Sequence, residues 1–169
     1  DAEADVYGGG STTLGLVATS VHPFRAGVQN PLLQLLLDYG AEIDHKTAAG
    51  NRQSAVLGAL ANGRAEAAAY LAEHGARLNL EAAAGVGRLD VVKGYFKDDG
   101  KRPAKKQLQS AFLYACGGGQ KDVVEFLLTK GVDLADGGPV GQTPLHWAVI
   151  DGQVEMVKLL LKDNPPLES

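Results

Sequence analysis

The chain has 169 residues, of which 45% are hydrophobic, and a formal net charge of −4. This mild acidity argues against a broad nucleic-acid surface, and the single cysteine excludes an internal disulfide and a cysteine-based zinc site. No apolar run approaches the roughly 18 residues of a membrane-spanning helix, so the composition favours one globular domain.

The first predicted unit covers residues 1–44. Its first helix contains Thr12-Thr-Leu-Gly-Leu-Val17, and its second contains Pro31-Leu-Leu-Gln-Leu-Leu-Leu37, with Pro31 at a helix start. An insertion from Ser20 to Asn30 separates the two helices. The segment Gly40-Ala-Glu-Ile-Asp44 forms the exit from the second helix.

The middle of the chain contains two further units, at 45–79 and 80–102. Each has a glycine between two helical patterns, Gly63 in one unit and Gly87 in the next. The distance between these glycines is too short for a complete unit with its own hairpin. The segment from Gly75 to Asn79 is therefore expected to run almost directly into the next helix.

The unit at 103–135 begins with a longer helical pattern. Its apolar residues recur at the i, i+3, i+4, i+7 spacing of one helix face: Leu108, Ala111, Phe112 and Ala115. This spacing predicts one extended helix from about Pro103 to Cys116, in place of a hairpin followed by a short helix.

The last unit, at 136–169, has the most complete pattern. Thr143 is a good N-cap because its hydroxyl can accept from a first-turn amide, and Pro144 follows where its missing N–H costs nothing. Leu145 begins the apolar face, and Gly152 ends the helix at little cost. A second apolar helix follows, so the unit is a helix pair that needs neighbours to cover its apolar surface.

The same features recur 33 residues earlier in the chain. A cap, an aromatic residue, an alanine and an interhelical glycine correspond in register: Ser110 to Thr143, Tyr114 to Trp147, Ala115 to Ala148 and Gly119 to Gly152. Such a recurrence is improbable by chance, so the sequence predicts a stack of similar helix pairs.

The segment Thr143-Pro-Leu-His146 and the residues that follow it resemble the signature of the ankyrin repeat family. The resemblance covers nearly the whole chain in about five units and implies a single ankyrin repeat domain over residues 1–169. The implied fold class is all-α, an ankyrin-type solenoid of stacked antiparallel helix pairs with short projecting loops. It also implies that His146 forms hydrogen bonds that lock loops and helix starts, and that the protein binds other proteins without catalysing a reaction.

The repeat also explains motifs that would otherwise suggest chemistry. Gly85-Val-Gly87 begins like a dinucleotide fingerprint and Gly117-Gly-Gly119 like a phosphate loop, but both lack the rest of the signature. Cys116 is interpreted as a small buried residue rather than a nucleophile. The four histidines are scattered without a metal-ligand pattern: His22, His45, His74 and His146. We therefore predict no enzyme, no cofactor and no metal site.

The run from Lys97 to Lys106 is the densest cluster of charge. The simplest interpretation is a solvated loop and helix start, and the alternative is a local basic spot for an acidic peptide or a phosphate group. Asp98 and Asp99 dilute its positive charge.

Tyr114 and Trp147 occupy the same position in adjacent units. The resemblance implies that this position lies towards a concave groove, with the two rings side by side. Ile150 would extend this apolar patch and Asp151 would form its edge, and aromatic residues are favoured anchors in protein interfaces. The alternative is that the rings pack under neighbouring loops and only stabilise the stack.

The sequence thus predicts a non-enzymatic protein–protein interaction module that presents a preorganised concave groove. The alternative is a regulatory or targeting fragment of a larger multidomain protein. The expected partner is another protein, with no nucleic acid and no membrane insertion. The chain is expected to be a cytoplasmic monomer.

Overall fold

Helices make up all the regular structure of the described residues, which contain no strands. The structure, a computed structural model, describes residues 12–44, 54–97, 102–138 and 141–162. In chain order the helices are α1 (Thr13–Thr19), α2 (Val21–Arg25), α3 (Gln29–Asp38), α4 (Ala55–Ala61), α5 (Ala65–Glu73), α6 (Leu80–Gly85), α7 (Leu89–Gly94), α8 (Lys105–Gly117), α9 (Lys121–Leu128), α10 (Pro144–Ile150) and α11 (Val154–Lys162). The predicted all-α class is confirmed. Within the described ranges, no helix is both long and apolar enough to cross a membrane.

The chain divides into two compact units, Asp1–Arg77 with α1 to α5 and Leu78–Ser169 with α6 to α11. In the described residues, helices that lie close in the chain contact one another: α1 with α3, α2 with α3, α4 with α5, α6 with α7, α8 with α9, and α10 with α11. The division into five units stays a prediction. The assignment of residues 1–169 to a single domain stays a prediction.

In the first unit, the short helix α2 lies in the insertion predicted at 20–30. At the end of this insertion, the buried side chain of Gln29 donates from Nε2 to the carbonyl oxygens of Val17 (2.8 Å) and Ala18 (3.1 Å). These bonds fasten the start of α3 to the end of α1. The prediction that the helix starts at Pro31 was wrong, because α3 already begins at Gln29. Pro31 is tolerated there because first-turn amides have no intrahelical partner.

In the first unit, the segment that follows α3 is hydrogen-bonded to the segment that follows α5. The amide of Arg77 donates to the Asp44 carboxylate at 3.0 and 3.2 Å. As expected, the segment after α5 runs into α6 without a hairpin, because only the residues between Glu73 and Leu80 separate the two helices. The two exits are therefore held by a charge-assisted hydrogen bond to a backbone amide.

In the second unit, the first helices of successive pairs meet through alanines. Ala83, Ala115 and Ala148 are fully buried, each with 0% of its surface exposed. Larger side chains from α8 and from the second helices α7, α9 and α11 complete the core around them: Phe112, Val92, Val124, Leu127, Met156 and Leu160. This combination of small and large residues fills the space between helices at the density typical of protein interiors.

A close contact between main chains joins α6 to α8. Gly118, the C-cap of α8, has a φ of −74°, which any residue can adopt. A Cβ atom at this position would overlap the carbonyl oxygen of Gly85 at the end of α6. Lack of space, rather than backbone conformation, therefore requires glycine at position 118.

Helix α8 is longer than the other first helices, as the sequence predicts, and begins two residues after Pro103. Its additional turn contains Gln109, whose side chain is buried. The Nε2 of Gln109 donates to the carbonyl oxygens of Asp133 (2.7 Å) and Asp136 (2.9 Å), and its Oε1 accepts from the amide of Asp133 (3.0 Å). This one side chain thus holds the loop that leaves α9.

We predict that Gly118→Ala lowers the free energy of unfolding by about 1–3 kcal/mol, because the added methyl group collides with a backbone atom. The matched control is Gly94→Ala at the end of α7, where a Cβ meets nothing within 4 Å. This change should stabilise the protein by roughly 0.5–1 kcal/mol through helix propensity. Urea-induced unfolding measures both effects, and equal stabilities of the two variants would contradict the proposed main-chain contact.

Cys116 provides a second prediction, because it is the only cysteine of the chain and is completely buried in α8. Burial raises the pKa of its thiol, which suppresses the reactive thiolate. We expect no reaction of the native protein with iodoacetamide and stoichiometric labelling in denaturant, as measured by mass spectrometry. Rapid labelling of the native protein would show that α8 is not packed as described.

Candidate partner-binding site

Tyr114 on α8 and Trp147 on α10 form an aromatic pair. Their ring centroids lie 5.2 Å apart at an interplanar angle of 71°, which is the edge-to-face arrangement that aromatic rings prefer. Both side chains are partly buried. Their helices carry the fully buried Ala115 and Ala148 on the face towards the core, so the backbone beneath the rings is held by packing.

Ile150 and Asp151 lie at the end of α10, about one helical turn after Trp147. Ile150 exposes 65% of its side chain, whereas Asp151 is partly buried. A Cβ atom at Gly117 of α8 would stand 2.6 Å from the Asp151 carboxylate and 3.1 Å from Cε3 of Trp147. Gly117 therefore leaves the space into which both side chains fit. We refer to Tyr114, Trp147, Ile150 and Asp151 together as the aromatic patch.

The indole nitrogen of Trp147 is buried and has no hydrogen-bond partner among the described residues. An unsatisfied buried donor costs about 1–3 kcal/mol. A phenylalanine at this position would give comparable ring packing without the buried N–H. Packing alone therefore does not explain why the position holds tryptophan.

Tyr114 also lies in the electrostatic field of Glu81, a partly buried residue of α6. Burial raises the pKa of Tyr114, and the negative charge of Glu81 raises this pKa further. Sequence reasoning missed Glu81 as a neighbour of the aromatic patch. The repeat register could have indicated it, because Glu81 precedes the residue of α6 that corresponds to Tyr114.

The N-terminus of α10 is capped by side chains from its own first turn and N-cap residue. The amide of Thr143 donates to Nδ1 of His146 (3.2 Å), and the amide of His146 donates to the Thr143 hydroxyl oxygen (3.5 Å). This is a reciprocal capping box in which histidine takes the usual place of glutamate or glutamine. Pro144 is the buried first residue of the helix, and Leu145 is partly buried behind it.

Gly152 connects α10 to α11 with a φ of +70°, in the left-handed region that glycine adopts without strain. The corresponding Gly119 has the same φ. The glycine-rich segments at 85–87 and 117–119 follow helices rather than strands, which agrees with their interpretation as turns of the repeat.

The described residues contain no group of three or more histidine, cysteine, aspartate or glutamate side chains placed to hold a metal ion. His45 lies outside the described residues, as do positions 98–101 of the charged run. The described parts of that run are Lys97 and residues 102–106. Residues 102–104 precede α8, and Lys105 and Lys106 are its first two residues.

Consecutive helix pairs of one register, joined by glycine turns and sharing a core, define a helical repeat protein. A family profile of ankyrin repeats in three copies matches residues 80–168, more than half of the chain. The chain therefore belongs to the ankyrin repeat family, which confirms the resemblance read from its sequence.

Two curated relatives are palmitoyltransferase ZDHHC13 of Pongo abelii and of Homo sapiens. Each is 37% identical to this chain over 73 residues, which make up 43% of this chain and 11% of the relative. The match therefore spans only about a tenth of the length of these relatives. Among solved structures, the crystal structure of the human ASB11 ankyrin repeat domain is 25% identical with a TM-score of 0.44, covering 90% of this chain and 69% of that one.

We predict that the stability of the protein falls at high pH in a way that depends on Tyr114. Because folding raises the pKa of this phenol, its contribution to stability is complete below the unfolded-state pKa of about 10 and is lost as the pH rises through the native pKa. Tyr114→Phe should therefore lose less Tm than the wild type between about pH 9 and pH 11.

Tyr95→Phe, which removes a phenol at the C-cap of α7 in the same unit, serves as the control in this thermal unfolding series. Glu81→Gln should reduce the effect, since it removes the negative charge that opposes ionisation of Tyr114. Identical pH profiles for the wild type and Tyr114→Phe would show that the Tyr114 environment differs from the one described.

Proposed function

We propose that this chain is a protein-binding module and that the aromatic patch is its contact surface. Ankyrin repeats are generally protein-interaction modules, and that is the general role of this chain's family. The finer proposal is carried by one observation, the edge-to-face pair of Tyr114 and Trp147 beside the strongly exposed Ile150. Large aromatic residues that remain partly exposed next to an aliphatic residue are the usual anchors of protein interfaces.

The packing beneath the patch supports a binding role for preformed side chains. Because both aromatic residues project from helices that are packed into the core through the fully buried Ala115 and Ala148, little backbone entropy is left to lose on binding. Asp151 gives the patch a polar edge, which matches the core-and-rim arrangement of protein interfaces. We propose that the patch lies in a concave groove that receives a short segment of the partner.

A second candidate function is a regulatory or targeting role within a larger multidomain protein. It is favoured by the similarity to a stretch that makes up 11% of two much longer palmitoyltransferases. In that case the aromatic patch would recruit a protein to an activity carried elsewhere on the same polypeptide. The complete reading frame of the gene tests this alternative, and a frame that encodes no other domain contradicts it.

Selection from a displayed library of random peptides tests the proposed contact surface. Trp147 is the only tryptophan of the chain, so its fluorescence reports directly on occupation of the patch. We expect selected peptides to shift this emission on binding, and Ile150→Glu to weaken their binding about tenfold or more. Titration calorimetry measures the affinity, and circular dichroism verifies that the variant is folded.

The matched control is Leu35→Glu on α3, which introduces the same charge at an aliphatic residue with 51% exposure outside the patch. Its affinity for the selected peptides should equal that of the wild type. Peptides that bind the wild type, Ile150→Glu and a Tyr114→Ala, Trp147→Ala double variant equally well would refute the aromatic patch as the contact surface.

A further inference from the structure

A cavity lies in the second unit of the chain. The residues after α7, the start of α8 and the residues that follow α9 come together there. Its volume is about 420 Å³, large enough to admit amino-acid side chains. Phe96, Pro103 and Leu108 give it apolar walls, and the side chains of Arg102, Lys105 and Lys130 add three cations. We refer to it as the basic cavity.

The charged residues that line the basic cavity in the described part of the chain are all cationic. No acidic side chain is among the residues that line it in the described part of the chain. The ammonium groups of Lys105 and Lys130 form no ion pair with any described residue, in contrast to Lys121 and Lys158, which pair with glutamates on their own helices. An anion entering the cavity would therefore meet two cations for which no described carboxylate competes.

One of these cations lies over two aromatic rings. Nζ of Lys130 lies 5.3 Å from the ring centroid of Phe96 and 4.8 Å from that of Phe126. The two rings themselves meet edge to face, 5.4 Å apart at 80°. These cation–π contacts hold the ammonium group near the cavity while leaving its hydrogen-bond donors available, because ring faces attract the charge without accepting a strong hydrogen bond.

We propose that the basic cavity binds an acidic peptide segment of a protein partner. A glutamate or aspartate side chain of the segment pairs with Lys105 and Lys130, and a neighbouring leucine or phenylalanine side chain enters between Phe96 and Leu108. The combination of apolar walls with a cationic opening favours a ligand in which a carboxylate and an apolar group are adjacent. The basic cavity shares no residue with the aromatic patch, so this proposal can be tested independently of that surface.

A concave shape favours a peptide over a membrane surface. Anionic bilayers attract basic segments through many charges near a broad lipid surface, and the unit's apolar walls would remain unused in such contact. A peptide with alternating glutamate and leucine presents both required groups to one cavity.

The test uses the full chain and three synthetic peptides of equal length: alternating glutamate and leucine, its glutamine counterpart and its lysine counterpart. Fluorescence anisotropy with labelled peptides should show binding of the glutamate peptide only, with an affinity that falls as salt screens the charges. Backbone amide shifts in NMR spectra should concentrate at the residues that line the basic cavity, including Thr129 and Gly131.

The double variant Lys105→Gln, Lys130→Gln should bind the glutamate peptide about tenfold more weakly. The control variant Lys121→Gln, Lys158→Gln changes the net charge equally at exposed lysines of the same unit and should bind as the wild type does. Lys130→Arg, which keeps the cation over the two phenylalanine rings, should also retain binding, and this separates loss of charge from loss of folding.

Three results would overturn the proposal. These are no binding of the glutamate peptide, equal binding of the glutamate and glutamine peptides, or equal losses in the cavity and control double variants. Vesicles containing phosphatidylserine provide a further arm of the experiment. Retention on these vesicles that depends on Lys105 and Lys130, without binding of the glutamate peptide, would assign the basic cavity to a membrane surface instead.

Discussion

The contact between successive first helices at Ala83, Ala115 and Ala148 determines the organisation of the second unit. Because these residues are completely buried and small, the helices approach closely, and larger side chains such as Phe112 of α8 and Leu127 of α9 fill the rest of the core. The same register places equivalent positions of neighbouring pairs beside one another. The contact between the rings of Tyr114 and Trp147 is a direct consequence of that spacing.

The helix pairs could be predicted because their signals are local. Thr143 closes a helix start with groups from its own first turn, and Gly152 reverses the chain through its own backbone conformation. Other features depend on residues distant in the sequence. Gln29 fastens the start of α3 to the end of α1, and Gln109 holds a loop more than twenty residues away. No local pattern distinguishes these glutamines from exposed ones.

The candidate site was partly predictable for the same reason. The repeat register indicated the adjacency of Tyr114 and Trp147, whereas the contribution of Glu81 and the unpartnered indole N–H depend on packing in three dimensions. The basic run near α8 could be recognised from composition. The cavity beside it could not be recognised, because Lys130 comes from the segment that follows α9 and lies over two phenylalanine rings.

The contact of Gly118 with Gly85 also has a mechanical consequence. The point where Gly118 meets Gly85 contains no side chain that can change rotamer, so the spacing there cannot adjust in small steps. The neighbouring junction between α8 and α10 includes the side chains of Trp147 and Asp151 above Gly117, and these can rearrange. Bending of this unit should thus be concentrated between α8 and α10, where the aromatic rings lie, while α6 and α8 move together as a stiff base.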